Sequence, residues 1–225
     1  MKRIFLATII LLFSGCWDSV ELEDRAFIMA FGFDAAEDEG FRFYAAIAQP
    51  SEQDSGSDDN DENEGISMSA EGQTPLEAIQ NTDAKSSRDL YFGQAKTVVF
   101  GKKILENQDL FKQALEFIES CNMIDRSINV IATEDNIEKI LTASPPSGGK
   151  SGYYVANFHR LAEKSRGRSL QKNFDSMMAD LRSGGGTMIP MIWEEDGGIR
   201  IEGGYQLSDF AYYKAFDNQK TANKI

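Results

Sequence analysis

Apolar and polar positions alternate or cluster along the chain in a way that separates strands from helices. Residues 26–34 read as a strand, with Phe27, Met29, Phe31 and Phe33 on one face. A polar turn at 37–40 leads into a second alternating run, Phe41, Phe43, Ala45 and Ile47, so the two form a hairpin that Pro50 ends. Residues 66–71 make a short strand. Thr74-Pro75-Leu76-Glu77 is a helix start: Thr74 caps, Pro75 supplies a fixed φ at the first position, and Glu77 reaches back. This helix is expected to run to residue 87, with Leu76, Ala78 and Ile79 on its apolar side. The dense run Thr97-Val98-Val99-Phe100 within 95–100 predicts a strand covered on both faces.

Asp109 opens a second helix, in which Leu110, Phe111, Ala114, Leu115 and Ile118 recur at helical spacing. A strand at 127–133 and a short helix at 135–141 follow. Pro145-Pro146 and Gly148-Gly149 mark a linker at 144–152. Beyond it, 153–164 and 170–182 look helical, and Gly184-Gly185-Gly186 stops the second of these. Residues 187–193 are β-like, 195–198 form a turn, and 199–214 form a hairpin or extended strand pair. This order predicts an α+β fold, a mixed α/β sheet packed with helices. The expected organisation is a leader at 1–15, an N-terminal α/β domain at 16–143, the linker, the start of a second domain at 153–214, and a polar tail at 215–225. Within the first domain, 51–65 is acidic and has no apolar residue, so it reads as a solvated loop.

The leader fixes the expected location. Lys2 and Arg3 precede ten residues, Ile4 to Phe13, that are apolar except for Thr8. That suits a signal peptide and is too short for the roughly 20 residues that span a bilayer. Ser14, Gly15 and Cys16 follow, small residues before a cysteine, as a lipoprotein signal peptidase requires. Phe13 stands where Leu is usual. The preferred reading is diacylglyceryl attachment to the Cys16 thiolate, with Cys16 becoming the first mature residue; an uncleaved or buried N-terminal helix is the alternative. Two acyl chains bring stable anchoring, at about 0.8 kcal/mol per buried CH₂. Trp17 would then rest at the bilayer interface or pack on its own domain.

Charge narrows the partners. Of 225 residues, 23 are Lys or Arg and 36 are Asp or Glu, for a formal charge of −13. No cationic excess exists to displace phosphate counterions, so no nucleic-acid partner is expected. Attraction to anionic lipid by net charge alone is disfavoured for the same reason. With 2 Cys and 1 His, a Cys/His zinc site lacks material, and no metal or cofactor is expected. Cys121 reads as a packing residue at a helix end.

The chain offers little reactive chemistry. Gly149-Lys150-Ser151 ends like a phosphate loop, but Ser144 replaces the required glycine and no apolar strand precedes it. Asp59, Asp61 and Asn63 mimic calcium ligands, but Glu64 and Ala70 stand where Gly and Glu belong. His159, the sole histidine, has no Gly-x-Ser-x-Gly partner and reads as structural. Acid pairs for glycoside hydrolysis arise by chance among so many carboxylates, and nothing selects one. Ser165-Arg166-Gly167-Arg168 is a small basic cluster, read as a solvated turn ahead of a docking patch. No catalytic residue is nominated.

Three blocks carry a resemblance. Cys16-Trp17-Asp18 with Glu21 runs into the strand ending Gly32-Phe33-Asp34. Ser69-Ala70-Glu71-Gly72-Gln73-Thr74 precedes Glu77-Ala78-Ile79. Leu90-Tyr91-Phe92-Gly93-Gln94-Ala95-Lys96 continues through Thr97-Val98-Val99-Phe100-Gly101. In this order they resemble the spore-germination lipoproteins of the Ger(x)C family, the C subunits of nutrient germinant receptors. The resemblance covers most of 16–133 and continues weakly through Met188-Ile189-Pro190. It implies a lipid-anchored, non-catalytic subunit on the outer face of the spore's inner membrane, assembling with A-type and B-type receptor subunits. It assigns Trp17, Asp18, Glu21, Gly72, Tyr91, Phe92, Gly93 and Lys96 to assembly or to the fold. Family members are considerably longer and carry a further C-terminal domain, so this chain is expected to be either a natural short form or a truncated product. The alternative functions are an extracytoplasmic small-molecule-binding lipoprotein and, more remotely, an envelope hydrolase.

Overall fold

The structure, a computed structural model, describes residues 24–48, 66–144, 151–157 and 172–216. Among these, nine strands build one mixed sheet. They are β1 (Arg25–Ala35), β2 (Phe41–Ile47), β3 (Ile66–Gly72), β4 (Asp89–Tyr91), β5 (Thr97–Gly101), β6 (Asn129–Thr133), β7 (Thr187–Glu195), β8 (Gly198–Ser208) and β9 (Ala211–Phe216). The spatial order is β3-β2-β1-β5-β6-β7-β8-β9, with β4 also on β1. The central strands β1, β5, β6 and β7 are parallel, and β2, β3, β8 and β9 extend the sheet antiparallel at either side. The expected mixed α/β sheet packed with helices is the fold observed. β7 lies directly beside β6, pairing Met191 with Ala132 and Ile192 with Thr133. The elements before 144 and after 152 therefore share one sheet.

Among the described residues six α-helices connect these strands: α1 (Pro75–Asp83), α2 (Lys102–Glu106), α3 (Gln108–Ser120), α4 (Ile137–Thr142), α5 (Ser151–Ala156) and α6 (Phe174–Arg182). The start of α1 follows the sequence signal. Thr74 Oγ1 accepts the Glu77 N–H at 3.1 Å, and Glu77 Oε2 accepts the Gln73 N–H at 2.8 Å. The helix stops at Asp83, short of the expected 87, because Asp83 Oδ1 accepts the Leu90 N–H at 2.8 Å and pulls the chain into β4. α3 is capped by Asn107, whose Oδ1 accepts the Leu110 N–H at 3.2 Å, rather than by Asp109. Cys121 is its C-cap, half-buried with a free thiol.

Two apolar layers hold the sheet. On one face Phe31, Phe33, Phe43, Val98, Phe100 and Val130 pack against α1, α3 and α6. On the other, Ala30, Tyr44, Ala46, Val99 and Ile131 pack against Ile137 and Ile140 of α4 and Val155 of α5. All five residues of β5 are buried, as a strand covered on both sides must be. The first face is rich in phenylalanine rings meeting edge to face, Phe31 on Phe33 at 6.0 Å and Phe100 on Phe111 at 5.1 Å. Such pairs add about 0.5–1.5 kcal/mol each beyond burial.

At the far side the hairpins are tight. Asp196 and Gly197, with φ 50° and 78°, turn β7 into β8. Asp209 and Phe210 turn β8 into β9 with both φ positive, at 50° and 58°. Without glycine that backbone is strained. It is held from α3, where Gln108 Nε2 donates to Asp209 O at 2.7 Å and the Lys112 ammonium lies 5.7 Å from the Phe210 ring centre. Of the helix expected over 153–164 only 153–157 is described, and α5 starts earlier, at Ser151, within the expected linker; the helix expected over 170–182 is α6, which starts at Phe174 because Asn173 caps it, its Oδ1 accepting the Ser176 N–H at 2.8 Å. Residues 158–171, with His159 and the basic cluster at 165–168, lie outside the described residues, as do the leader, the acidic segment 51–65 and residues 217–225.

Candidate functional site

The stretch 89–97 is built around an interruption. β4 pairs with β1 from Arg25↔Asp89 to Phe27↔Tyr91, and β5 resumes at Ala30↔Thr97. While β1 advances from 27 to 30, its partner advances from 91 to 97, so the extra residues Phe92–Gln94 are looped out as a 3-10 turn. The turn drives Phe92 into the core, 3% exposed, edge-on to Phe31 at 5.3 Å. Tyr91 stays at the surface. Its ring meets Phe27 edge-on at 5.7 Å, and the Arg25 guanidinium lies over it at 4.6 Å. The ring also folds over Gly93: a Cβ there would sit 2.6 Å from Tyr91 Cζ.

Lys96 contributes through its backbone. Its N–H donates to Met29 O at 2.9 Å, and its carbonyl accepts from Asn129 N at 2.9 Å and Asn129 Nδ2 at 3.1 Å. It ties β1 to β6 across the start of β5, while its side chain is exposed. Gly72 lies elsewhere, where β3 hands over to α1. A Cβ on it would sit 2.4 Å from Ala78 N and 2.7 Å from Glu77 C, so only glycine lets the first turn of the helix lie on the strand end. Trp17, Asp18, Glu21 and Cys16 lie outside the described residues.

A second polar group gathers at the carboxyl ends of the parallel strands, where open α/β sheets place ligands. Asp34, at the end of β1, accepts the N–H groups of Ala35 at 2.9 Å and Ile104 at 3.0 Å. Burial pushes its carboxyl above the ordinary 3.8, opposed by the Ala35 and Ile104 N–H groups and by Lys103. Glu134, just past β6, accepts from the hydroxyl of fully buried Tyr205 at 2.7 Å and from Lys102 Nζ at 3.2 Å. Asp135 accepts the Glu194 N–H at 2.8 Å. These bonds tie β1 to α2, and tie the residues just past β6 to α2, β7 and β8, at one end of the sheet. Among the described residues no group of three or more His, Cys, Asp and Glu is placed to hold a metal ion.

Sequence reasoning missed Asp34 as a cap, Asn129 as the partner of Lys96, and the Lys102–Glu134–Tyr205 chain. Each joins residues far apart in sequence, and no local periodicity signals such a contact. No described helix is long and apolar enough to cross a membrane.

Fold and site define a mixed α/β domain, parallel at its centre and antiparallel at its flanks, with helices on both faces and a polar cluster closing one end. The family model described as the spore germination protein N-terminal domain matches residues 18–193, and the chain belongs to that family. It is 28% identical to spore germination protein KC of Bacillus subtilis (strain 168) over 210 residues, covering 85% of this chain and 48% of that protein. It is 24% identical to spore germination protein B3 of the same organism over 133 residues, covering 59% of this chain and 34% of that protein. The crystal structure of the GerBC protein aligns with a TM-score of 0.43 at 13% identity, over 85% of this chain and 52% of that one. The chain thus spans about half the length of the first of these relatives and less of the second.

Proposed function

We propose that the chain acts in spore germination as the lipid-anchored, non-catalytic C-type subunit of a nutrient germinant receptor. In this reading Cys16 carries the acyl chains, the domain stands on the outer face of the spore's inner membrane, and it assembles with A-type and B-type membrane subunits. The observation that carries the reading is the family match over 18–193, which starts two residues past Cys16. The charged, apolar and small-residue order of 1–15 supports cleavage and acylation there. The polar residues at the carboxyl ends of the strands support a structural role for that end, since each carboxylate described above has a donor inside the fold.

Replacing Cys16 with Ala tests it. The expected result is loss of the protein from the membrane fraction together with a germination response to nutrient reduced to the level of a deletion. Full membrane retention would remove the anchor from the proposal. Normal germination in a strain that depends on this receptor would remove the function.

A further inference from the structure

On one side the sheet ends at β3, and a strand at the end of a sheet turns a row of backbone N–H and C=O groups away from its neighbour. β3 pairs with β2 in unbroken antiparallel register from Phe41↔Gly72 to Ile47↔Ile66, so its residues present their backbone alternately to β2 and to the outer side. The outward row is marked by what it binds. Asn81 Nδ2 donates to Glu71 O at 2.8 Å, and Lys85 Nζ donates to Ser69 O at 2.7 Å. Ser67, two residues before Ser69, belongs to the same row.

Both donors come from the helix beside this edge. α1 buries Pro75, Ala78, Ile79 and Thr82 and leaves Asn81 exposed; Lys85 lies just past its end and is also exposed. Four residues of helix advance about 6 Å and two residues of strand about 6.8 Å. The helix runs antiparallel to the strand, so steps of four through 77, 81 and 85 meet steps of two through 73, 71 and 69. The first of these contacts is the capping bond of the helix, and the other two lie on the strand edge. Beyond the helix end the Lys85 N–H donates to Thr82 O at 3.1 Å, which holds the residue at the position this spacing needs.

Any strand added to β3 would need its N–H groups where the Asn81 amide and the Lys85 ammonium now sit. A second copy of β3 has the chemistry to add there. Turned antiparallel about Ser69, it sets Ser69 opposite Ser69 and Ser67 opposite Glu71, so no like charges face one another. In each copy, however, two of the three outward carbonyls are already occupied.

We propose that Asn81 and Lys85 seal the β3 edge, preventing the domain from pairing with a second copy of itself through that strand. The seal uses side chains of a helix that the core already holds in place, so it leaves the pairing of β3 with β2 intact.

Sedimentation equilibrium of the full-length chain in density-matched detergent tests this. The variants are Lys85→Ala, the pair Asn81→Ala with Lys85→Ala, and Ser69→Pro placed in both the parent and the pair. Proline at 69 removes an outward N–H that an added strand needs and no bond to β2. The expected result is that the alanine pair dimerises at a concentration at least about tenfold below the parent's, a change that recovery of two backbone hydrogen bonds suffices to produce. Ser69→Pro in the pair should restore the parent's value, and Lys85→Ala alone should give a smaller shift in the same direction. An alanine pair that associates no more than the parent would overturn the proposal, as would association that Ser69→Pro leaves in place. A parent that itself dimerises and loses this on Ser69→Pro would also overturn it, because the edge would then be open. If circular dichroism shows that the pair does not fold, Lys85→Ala decides: Lys85 is exposed and outside the helix, and there a shift supports the seal and no shift overturns it.

Discussion

The carboxylate of Asp34 occupies the space that a side chain on Gly101 would fill. A Cβ on Gly101 would lie 2.3 Å from Asp34 Cγ. β1 and β5 pair in register up to Phe33↔Phe100, which brings the next residues of both strands side by side. Gly101 is the N-cap of α2 and has no side chain to cap with. Asp34 reaches across from the neighbouring strand and accepts the Ile104 N–H instead. Two residues from different strands thus share one capping function.

This arrangement predicts non-additive mutations. Asp34→Ala removes the cap and is expected to cost about 1–2 kcal/mol. Gly101→Ala forces a clash and is expected to cost about 1–3 kcal/mol. In the double variant the methyl group of residue 101 enters space that Asp34 has vacated. The sum of the single losses should therefore exceed the double loss by at least about 0.5 kcal/mol in urea titrations of the leaderless chain. Strict additivity would show that the two residues do not share the space.

The raised pKa of Asp34 fixes the sign of a pH effect. Burial disfavours its charge in the folded state, so folded Asp34 holds its proton to higher pH than the unfolded chain. Its contribution is fully present below the unfolded value and is lost as pH rises through the folded one. Asn keeps the acceptor oxygen and does not titrate. The stability of the parent chain relative to Asp34→Asn should fall as pH is raised from 4 towards neutrality, read from urea midpoints at fixed ionic strength. Asp180 works in the opposite direction. Lys172 and then Thr187 hold its carboxyl below the ordinary 3.8, so the parent should lose stability relative to Asp180→Asn as pH drops through the acid range. A flat difference for either variant would contradict the assigned environment.

Phe92 and Lys96 stand in different surroundings within one motif, one buried and the other exposed. Phe92 lies in the core against Phe31 and Phe43, so Phe92→Ala should cost about 3–5 kcal/mol. The structural bonds of Lys96 described above are made by its backbone, so Lys96→Ala should change stability by less than about 0.5 kcal/mol. Thermal melts check both. If Lys96→Ala also slows germination while its melt is unchanged, the exposed ammonium acts outside the domain. A large drop in melting temperature for Lys96→Ala would assign it to the fold.

Much of the sheet was legible from local pattern. The two β-like runs at 26–34 and 41–49 marked the β1–β2 hairpin, and Thr97-Val98-Val99-Phe100 marked a doubly covered strand, but the expected face Phe27, Met29, Phe31 and Phe33 is broken by a register shift between Ile28 and Ala30, so that Ile28 rather than Phe27 and Met29 joins Phe31 and Phe33 in the core. β4 was not legible: Asp89-Leu90-Tyr91 is too short to show a period, and it is a strand only because β1 runs alongside. α2 was missed for a related reason. Its five residues carry no local N-cap, and the group that caps it comes from β1. Placing Tyr91, Phe92 and Gly93 in one cluster needed only adjacency. That Arg25 covers the tyrosine, and that Glu134 binds Tyr205, depends on strand order, which periodicity does not encode.

Gly72 and Gly93 should differ in what they tolerate, although each forbids a Cβ at its present geometry. Around Gly72 the close atoms are backbone, Ala78 N at 2.4 Å and Ala78 Cα at 2.9 Å, and they belong to a helix whose face is packed on the sheet. Nothing there moves without lifting α1 off β3. Around Gly93 the close atoms all belong to the Tyr91 ring, which is partly exposed and can rotate away. Gly72→Ala is expected to lose at least about 2 kcal/mol, while Gly93→Ala loses about 1 kcal/mol, most of it the displaced tyrosine contact with Phe27 and Arg25. Combining Gly93→Ala with Tyr91→Ala should then cost no more than Tyr91→Ala alone, within about 0.5 kcal/mol. Differential scanning calorimetry of the four variants decides the matter. A Gly93→Ala loss equal to that of Gly72→Ala, undiminished when the ring is removed, would mean that the 3-10 turn is confined by backbone rather than by Tyr91.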